Sequence, residues 1–116
     1  MNPYHQHTRI DEVDPARAHE LAREGALLLD VREPEEWRAG HIAGSVHVPL
    51  GELDPTDVPR DVPVVAVCRS GNRSGSAAVA LSAHGHQVVN LAGGVSAWQR
   101  AGLDLVTDDG RPGQVR

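Results

Sequence analysis

The 116-residue chain has no phenylalanine, a single cysteine and a single tyrosine, and only 3% aromatic residues in all. It also has no lysine, so all eleven basic residues are arginine. Without lysine there is neither a Schiff-base amine nor the phosphate-binding loop that requires one. One cysteine excludes an internal disulfide and any zinc site built on several thiolates. Sixteen acidic residues against eleven arginines leave a formal charge of −5, which argues against bulk capture of nucleic acid or of an anionic membrane. Long hydrophobic runs are missing as well. Stretches such as Ala26-Leu27-Leu28-Leu29 and Val64-Val65-Ala66-Val67 fall far short of the roughly 20 apolar residues of a spanning helix. The opening Met1-Asn2-Pro3-Tyr4-His5-Gln6-His7 has neither a basic n-region nor an apolar h-region. No secretory signal is expected, and the cytoplasm is the expected compartment.

What remains is a one-domain length with 40% apolar residues, so valine, leucine, alanine and isoleucine must fill the core. Short apolar runs at residues 26–31, 45–48, 62–67 and 87–91 read as strands, and a further short strand is expected at residues 8–10. Two of these runs are nearly continuous rather than alternating, as in strands covered on both faces. Helices have recognisable ends. Asp14-Pro15 provides a cap and a first-turn proline, Ala18, Leu21 and Ala22 an apolar stripe, and Gly25 a stop. A second, short helix runs from Pro34 to Ala39. A third starts near Arg73 or Ser74 and breaks at Gly85. A fourth follows Gly93-Gly94 and puts Val95 and Trp98 three apart before Gly102. Strands alternating with helices imply crossovers and a parallel α/β sheet. Residues 51–63, with three prolines and four acidic residues, read as a loop holding one helical turn. Residues 104–116 read as a polar tail, expected to fray.

The strongest feature is Val67-Cys68-Arg69-Ser70-Gly71-Asn72-Arg73-Ser74. An apolar strand ends on the only cysteine, a polar turn follows, and a helix begins. In open parallel sheets, ligands bind beyond the carboxyl ends of strands. A lone cysteine at a strand end is ordinarily a small buried hydrophobe. Its neighbours here, two arginines, two hydroxyls and an amide, suit an anion cradle better than a packed core. A free thiol has a pKa of about 8.5, and lowering it by about two units takes roughly 2.7 kcal/mol of preference for the anion. A helix N-terminus supplies about 0.3–1 kcal/mol, so inward-facing N–H groups of residues 69–73 and the two guanidinium charges are expected to supply the remainder. Cys68 is therefore the candidate nucleophile. Arg69 is the candidate for an anionic ligand or, equally, a solvated loop residue. Arg73 is expected to fix the loop, while Ser70, Gly71 and Asn72 act through backbone N–H groups. Asp30 and Arg32, at another strand's carboxyl end, either support the site or pair with each other. His5 with His7, and His84 with His86, have the spacing of metal ligands, but surface histidines are far commoner and no metal site is expected.

Four segments carry a family resemblance. Asp30-Val31-Arg32-Glu33-Pro34-Glu35-Glu36-Trp37, Gly40-His41-Ile42-Ala43-Gly44-Ser45-Val46-His47-Val48-Pro49, Cys68-Arg69-Ser70-Gly71-Asn72-Arg73-Ser74 and Gly93-Gly94-Val95-Ser96-Ala97-Trp98 occur in the order seen in single-domain rhodaneses. The chain resembles that family over residues 8–103. The resemblance implies a rhodanese-like fold, a five-stranded parallel sheet with helices on both faces. It implies a sulfurtransferase without a bound cofactor. Cys68 would take a sulfane sulfur from thiosulfate or a persulfide donor and pass it to cyanide or to a thiol, such as that of a thioredoxin-like protein or glutathione. A monomer is expected. Only four residues separate Cys68 from Arg73, where the phosphatases of the same fold have five. By resemblance, the shorter loop suits one sulfur atom rather than a phosphate or an arsenate. A non-catalytic or redox-sensing binding module is the alternative from another class, since an exposed thiol of low pKa also forms sulfenic acid.

Overall fold

A computed structural model of the chain describes Tyr4 and residues 9–116. The element order is β1 (Glu12–Val13), α1 (Pro15–Arg23), β2 (Leu27–Asp30), α2 (Pro34–Ala39), β3 (Val46–His47), β4 (Val64–Val67), α3 (Asn72–Ala83), β5 (Val88–Leu91) and α4 (Gly94–Arg100). The five strands form one parallel sheet in the order β1-β5-β4-β2-β3. β4 lies at the centre, with Leu27 to Asp30 paired against Val64 to Val67 on one side and Val64 to Ala66 against Val88 to Asn90 on the other.

Every residue of β4 and β5 is buried, which is why these strands lack polar alternation. Their side chains divide between two apolar layers. Val65, Val67, Val89 and Leu91 meet Ala18 and Leu21 of α1 and Val95 and Trp98 of α4. Val64, Ala66, Cys68 and Val88 meet Ala77, Ala78 and Leu81 of α3 on the opposite face. Each fully buried valine or leucine contributes roughly 1.5–3 kcal/mol, so the chain builds its core without phenylalanine. The helix starts follow their caps. Asp14 accepts the Arg17 N–H at 2.8 Å, with Pro15 in the first turn. Among the described residues, no helix is long and apolar enough to cross a membrane.

Three expectations change. The first strand lies at Glu12–Val13, not at residues 8–10; Arg9 and Ile10 are outside any strand, and Thr8, like His5 and His7, lies outside the described residues. The register on β5 pairs Glu12 with Asn90 and Val13 with Leu91, and it seats Val13 against the α1–α4 layer. Residues 51–63 do not hold one helical turn in a loop: short 3₁₀ turns form at Leu50–Glu52 and Pro55–Asp57. They set Leu50, Leu53 and Val58 against the α3 layer.

The third correction concerns the tail, which does not fray. Leu105 is buried, and Val106 exchanges both backbone hydrogen bonds with His41 at 2.9 and 2.8 Å. The Gln114 N–H donates to Ala39 O at 2.9 Å, and the Trp98 indole N–H donates to Asp104 O at 3.0 Å. Only three apolar residues lie in this stretch, at 105, 106 and 115, so composition hid a segment held mainly by its backbone. Leu105→Ala is expected to cost about 2–4 kcal/mol, as for a buried leucine. In urea unfolding the midpoint falls with the slope unchanged. An unchanged midpoint would mean that the segment does not contribute to the core.

Candidate active site

Cys68 follows the last residue of β4, so the central strand delivers it to the carboxyl edge of the sheet. Its side chain is 1% exposed. The Gly71 N–H donates to the sulfur at 3.0 Å, and the Ser74 hydroxyl lies within hydrogen-bond reach of it at 3.2 Å. Burial pushes the thiol pKa up. Hydrogen bonds from the Ser74 hydroxyl and from the backbone N–H groups of Ser74, Gly71 and Ser70 outweigh it, and the thiol lies below its ordinary value. The anion is thus held by dipoles aimed at it, the form of stabilisation that operates best away from water.

The loop takes this shape because its carbonyls are tied elsewhere. The Val95 N–H donates to Cys68 O at 2.9 Å and the Ser96 N–H to Arg69 O at 3.1 Å. In a trans peptide C=O and N–H point opposite ways. Anchoring both carbonyls on α4 therefore turns the N–H groups of Arg69 and Ser70 away from α4, back into the loop. The close approach requires Gly94: a Cβ there would overlap the carbonyls of Cys68 and Arg69. Gly71, at φ +108°, takes a conformation that side chains oppose and so points its N–H at the sulfur. From below, Asn90 donates to Gly71 O at 2.9 Å and accepts from Ser74 Oγ at 2.6 Å.

Arg73 is tied to α2. Its guanidinium makes two parallel 2.7 Å bonds to Glu36, which also accepts the Glu33 N–H at 2.9 Å at the start of α2. The Arg73 hydrogen bonds hold the Glu36 carboxyl down at about 2. One expected contribution to the thiol is thereby reduced, because the Arg73 charge is already matched. Arg69 is exposed and has no ion-pair partner among the described residues. Ser70 and Asn72 are exposed beside it.

Asp30 and Arg32 pair with each other, fully buried, at 2.8–3.1 Å. The remaining bonds of the Arg32 guanidinium run to α2 and its cap rather than to the sulfur: Arg32 donates to Gly40 O at 2.8 Å and Glu36 O at 3.3 Å. The pair orients the helix that carries Glu36. His41 and His47 both stack on Trp37, with ring centroids 3.6 and 4.8 Å away. Both ring nitrogens of His86 face backbone carbonyls, of Leu81 at 3.0 Å and Val58 at 2.8 Å, so His84 and His86 do not form a ligand pair. Sequence reasoning missed the parts played by Asn90, Glu36 and Gly94. A buried asparagine in an otherwise apolar strand was the available signal for the first; the other two are pairings across the fold that no local pattern displays.

Residues 14–101 match the Rhodanese family, described as a rhodanese-like domain. The chain is 41% identical over 107 residues to a sulfurtransferase of Allochromatium vinosum, covering 87% of this chain and 99% of that one. It is 37% identical over 95 residues to a thiosulfate sulfurtransferase GlpE of Ectopseudomonas mendocina, covering 79% and 87%. It spans 58% of the length of an uncharacterised protein of Synechocystis sp., with 36% identity over 104 residues and 86% of this chain covered. The crystal structure of a rhodanese-related protein from Thermoplasma volcanium superposes with a TM-score of 0.79 at 33% identity, covering 84% of this chain and 99% of that one. The chain belongs to the rhodanese-like domain family.

Glu36→Gln keeps one acceptor for Arg73 and removes the charge. The expected loss is about 1 kcal/mol for this partly buried pair, or about 4 °C in melting temperature. Because folding lowers the Glu36 pKa, its stabilisation is complete above its ordinary value near 4.5 and is lost as pH falls towards about 2. The difference between the two proteins should therefore vanish over that window. A difference that persists at pH 2 would assign the stability to something other than the charge.

Proposed function

We propose that this chain is a sulfurtransferase in which Cys68 carries the sulfur as a persulfide. The observation that supports this best is the convergence of Gly71 N–H and Ser74 Oγ on a single buried sulfur at 3.0 and 3.2 Å. The site is a cradle for one atom rather than for a tetrahedral anion. In the first step the Cys68 thiolate attacks the outer sulfur of the donor. For thiosulfate the S–S bond breaks, its electron pair leaves with sulfite, and Cys68 retains one extra sulfur bearing the negative charge. In the second step an acceptor thiolate or cyanide attacks that outer sulfur. The Cys68 S–S bond breaks, its electron pair returns to Cys68, and the acceptor departs as a persulfide or as thiocyanate. Charge and atoms balance in each half, so no redox cofactor is needed and ping-pong kinetics follow.

Arg69 is the residue suited to the anionic end of the donor, because its guanidinium is exposed and unpaired among the described residues while that of Arg73 is matched by Glu36. One free cation at the mouth supports persulfide donors of low charge beside thiosulfate. The proposed chemistry needs a reduced thiol, as the cytoplasm maintains, and the acceptor is a small or protein-borne thiol rather than a nucleic acid or a membrane.

Intact mass after incubation with thiosulfate tests the reading. Wild type should gain one sulfur and lose it on addition of a thiol or cyanide, and Cys68→Ser should gain none. A gain that survives in Cys68→Ser would overturn the persulfide. Thiol titration should place the Cys68 midpoint below that of a free cysteine thiol, because the hydrogen bonds from Ser74, Gly71 and Ser70 favour the anion. Arg69→Gln is expected to raise the KM for thiosulfate about tenfold, equivalent to about 1.4 kcal/mol, with kcat little changed. An unchanged KM would return Arg69 to the role of a solvated loop residue.

A further inference from the structure

The Ser74 hydroxyl has one hydrogen, and three atoms lie within reach of it: Asn90 Oδ1 at 2.6 Å, Cys68 Sγ at 3.2 Å and Gly71 O at 3.4 Å. The neighbours of Asn90 decide where that hydrogen rests. Its amide nitrogen faces Gly71 O at 2.9 Å and the Glu12 carboxylate at 3.3 Å, and both of these only accept. The amide orientation is thereby set, and Oδ1 is the atom on Ser74. An amide oxygen cannot donate, so the 2.6 Å contact needs the Ser74 hydrogen on that line. In this arrangement Ser74 offers the sulfur a lone pair, which suits a thiol S–H and opposes a thiolate.

We propose that Ser74 and Asn90 form a hydroxyl rotor, in which the Ser74 hydrogen rests on Asn90 Oδ1 while the Cys68 sulfur is neutral and turns to the sulfur when it becomes an anion. Asn90 is then a positioning residue that acts through Ser74 and Gly71. Only hydrogen bonds are exchanged; no proton leaves Ser74. The catalytic consequence rests on the sulfur-transfer reading. In the persulfide the charge sits on the outer sulfur and Sγ is neutral, so the hydrogen lies on Asn90. As the acceptor attacks and the S–S bond breaks, the electron pair arrives on Sγ and the hydrogen turns to meet it. Turning leaves Oδ1 of the buried Asn90 without a donor, a cost offset by a charge-assisted bond to the thiolate. The device therefore helps Cys68 leave without holding the thiolate so firmly that it ceases to attack. The charged groups around it are Arg73, matched by Glu36 of α2 with Glu33 beyond, the exposed Arg69 of the loop, and Glu12 of β1 on the far side of Asn90.

The test follows the Asn90 side-chain carbon and nitrogen by NMR across pH, alongside the ultraviolet absorbance of the thiolate, in isotopically labelled protein without any sulfur donor. In wild type the Asn90 carbonyl carbon should shift with the thiolate midpoint. In Ser74→Ala the thiolate still forms and that shift disappears, while Ser74→Thr, which keeps the hydroxyl, restores it. In Cys68→Ala the carbon should not titrate. An Asn90 carbon that stays fixed through the wild-type midpoint overturns the rotor. So does a shift that survives undiminished in Ser74→Ala, which would be the bare field of the thiolate, or in Cys68→Ala, which would belong to Glu12. No arm uses a sulfur donor, so a working rotor in a protein that accepts no sulfur would refute only the sulfur-transfer reading, and the converse result only the rotor.

Discussion

The carbonyl oxygens of Cys68 and Arg69 are claimed by the N–H groups of Val95 and Ser96 in the first turn of α4, and the geometry around the sulfur follows from that. The bonds are 2.9 and 3.1 Å long, and they form only because Gly94 lets the α4 backbone meet the loop directly. With these carbonyls pointing one way, their peptide N–H groups must point the other. A loop that closes on its own cysteine after so few residues then has donors rather than acceptors facing inward. The same bonds satisfy N–H groups that a helix start leaves without intrahelical partners. The start of α4 and the cysteine loop therefore complete each other, and neither is finished alone.

A second line of contacts holds the loop from the opposite side. Asp30 and Arg32 form a fully buried ion pair, and such a pair gives little net stability once desolvation is counted. Its geometry is the informative part. Arg32 also donates to the carbonyls of Glu36 in α2 and of Gly40 at its end, which sets where α2 sits and hence where Glu36 meets Arg73. The chain of contacts from β2 through α2 to α3 ends one residue from Ser74. The backbone of the tail closes against the same helix at Ala39 and against His41 beyond it, which explains why a segment of such polar composition is ordered.

The legible features were those written locally. Asp14-Pro15, the continuous apolar runs of β4 and β5, and the polar turn after Cys68 each announce an element through neighbouring residues, and the α/β sheet follows from their alternation. The illegible features were pairings between distant positions. Arg73 reads as a cation in the loop until Glu36, thirty-seven residues earlier, is seen to match it. Asn90 reads as one polar residue in a buried strand until the fold puts it under Gly71 and Ser74. The tail was misjudged for a related reason: its order comes from backbone hydrogen bonds, which leave no trace in composition. Asp30 and Arg32 fall between these cases, because two residues apart on an extended chain already face the same side, and pairing with each other was one of the two readings that their sequence allowed.

Neutralising Arg73 with Glu36 shapes what the site can hold. A loop stabilised by two free guanidinium groups would favour the anionic sulfur in every state and leave buried charge uncompensated whenever the cysteine was neutral. A loop stabilised by N–H dipoles, with one cation kept at the exposed mouth, tolerates both a neutral and an anionic sulfur, because dipoles need no counter-charge when the anion is gone. A thiol that alternates between nucleophile and leaving group needs that tolerance, since an environment that fixed the thiolate too firmly would slow its next attack. On the proposed sulfur-transfer reading, Glu36 of α2, which at first sight weakens an anion site, instead keeps its stabilisation moderate enough to be reversed when the sulfur moves on.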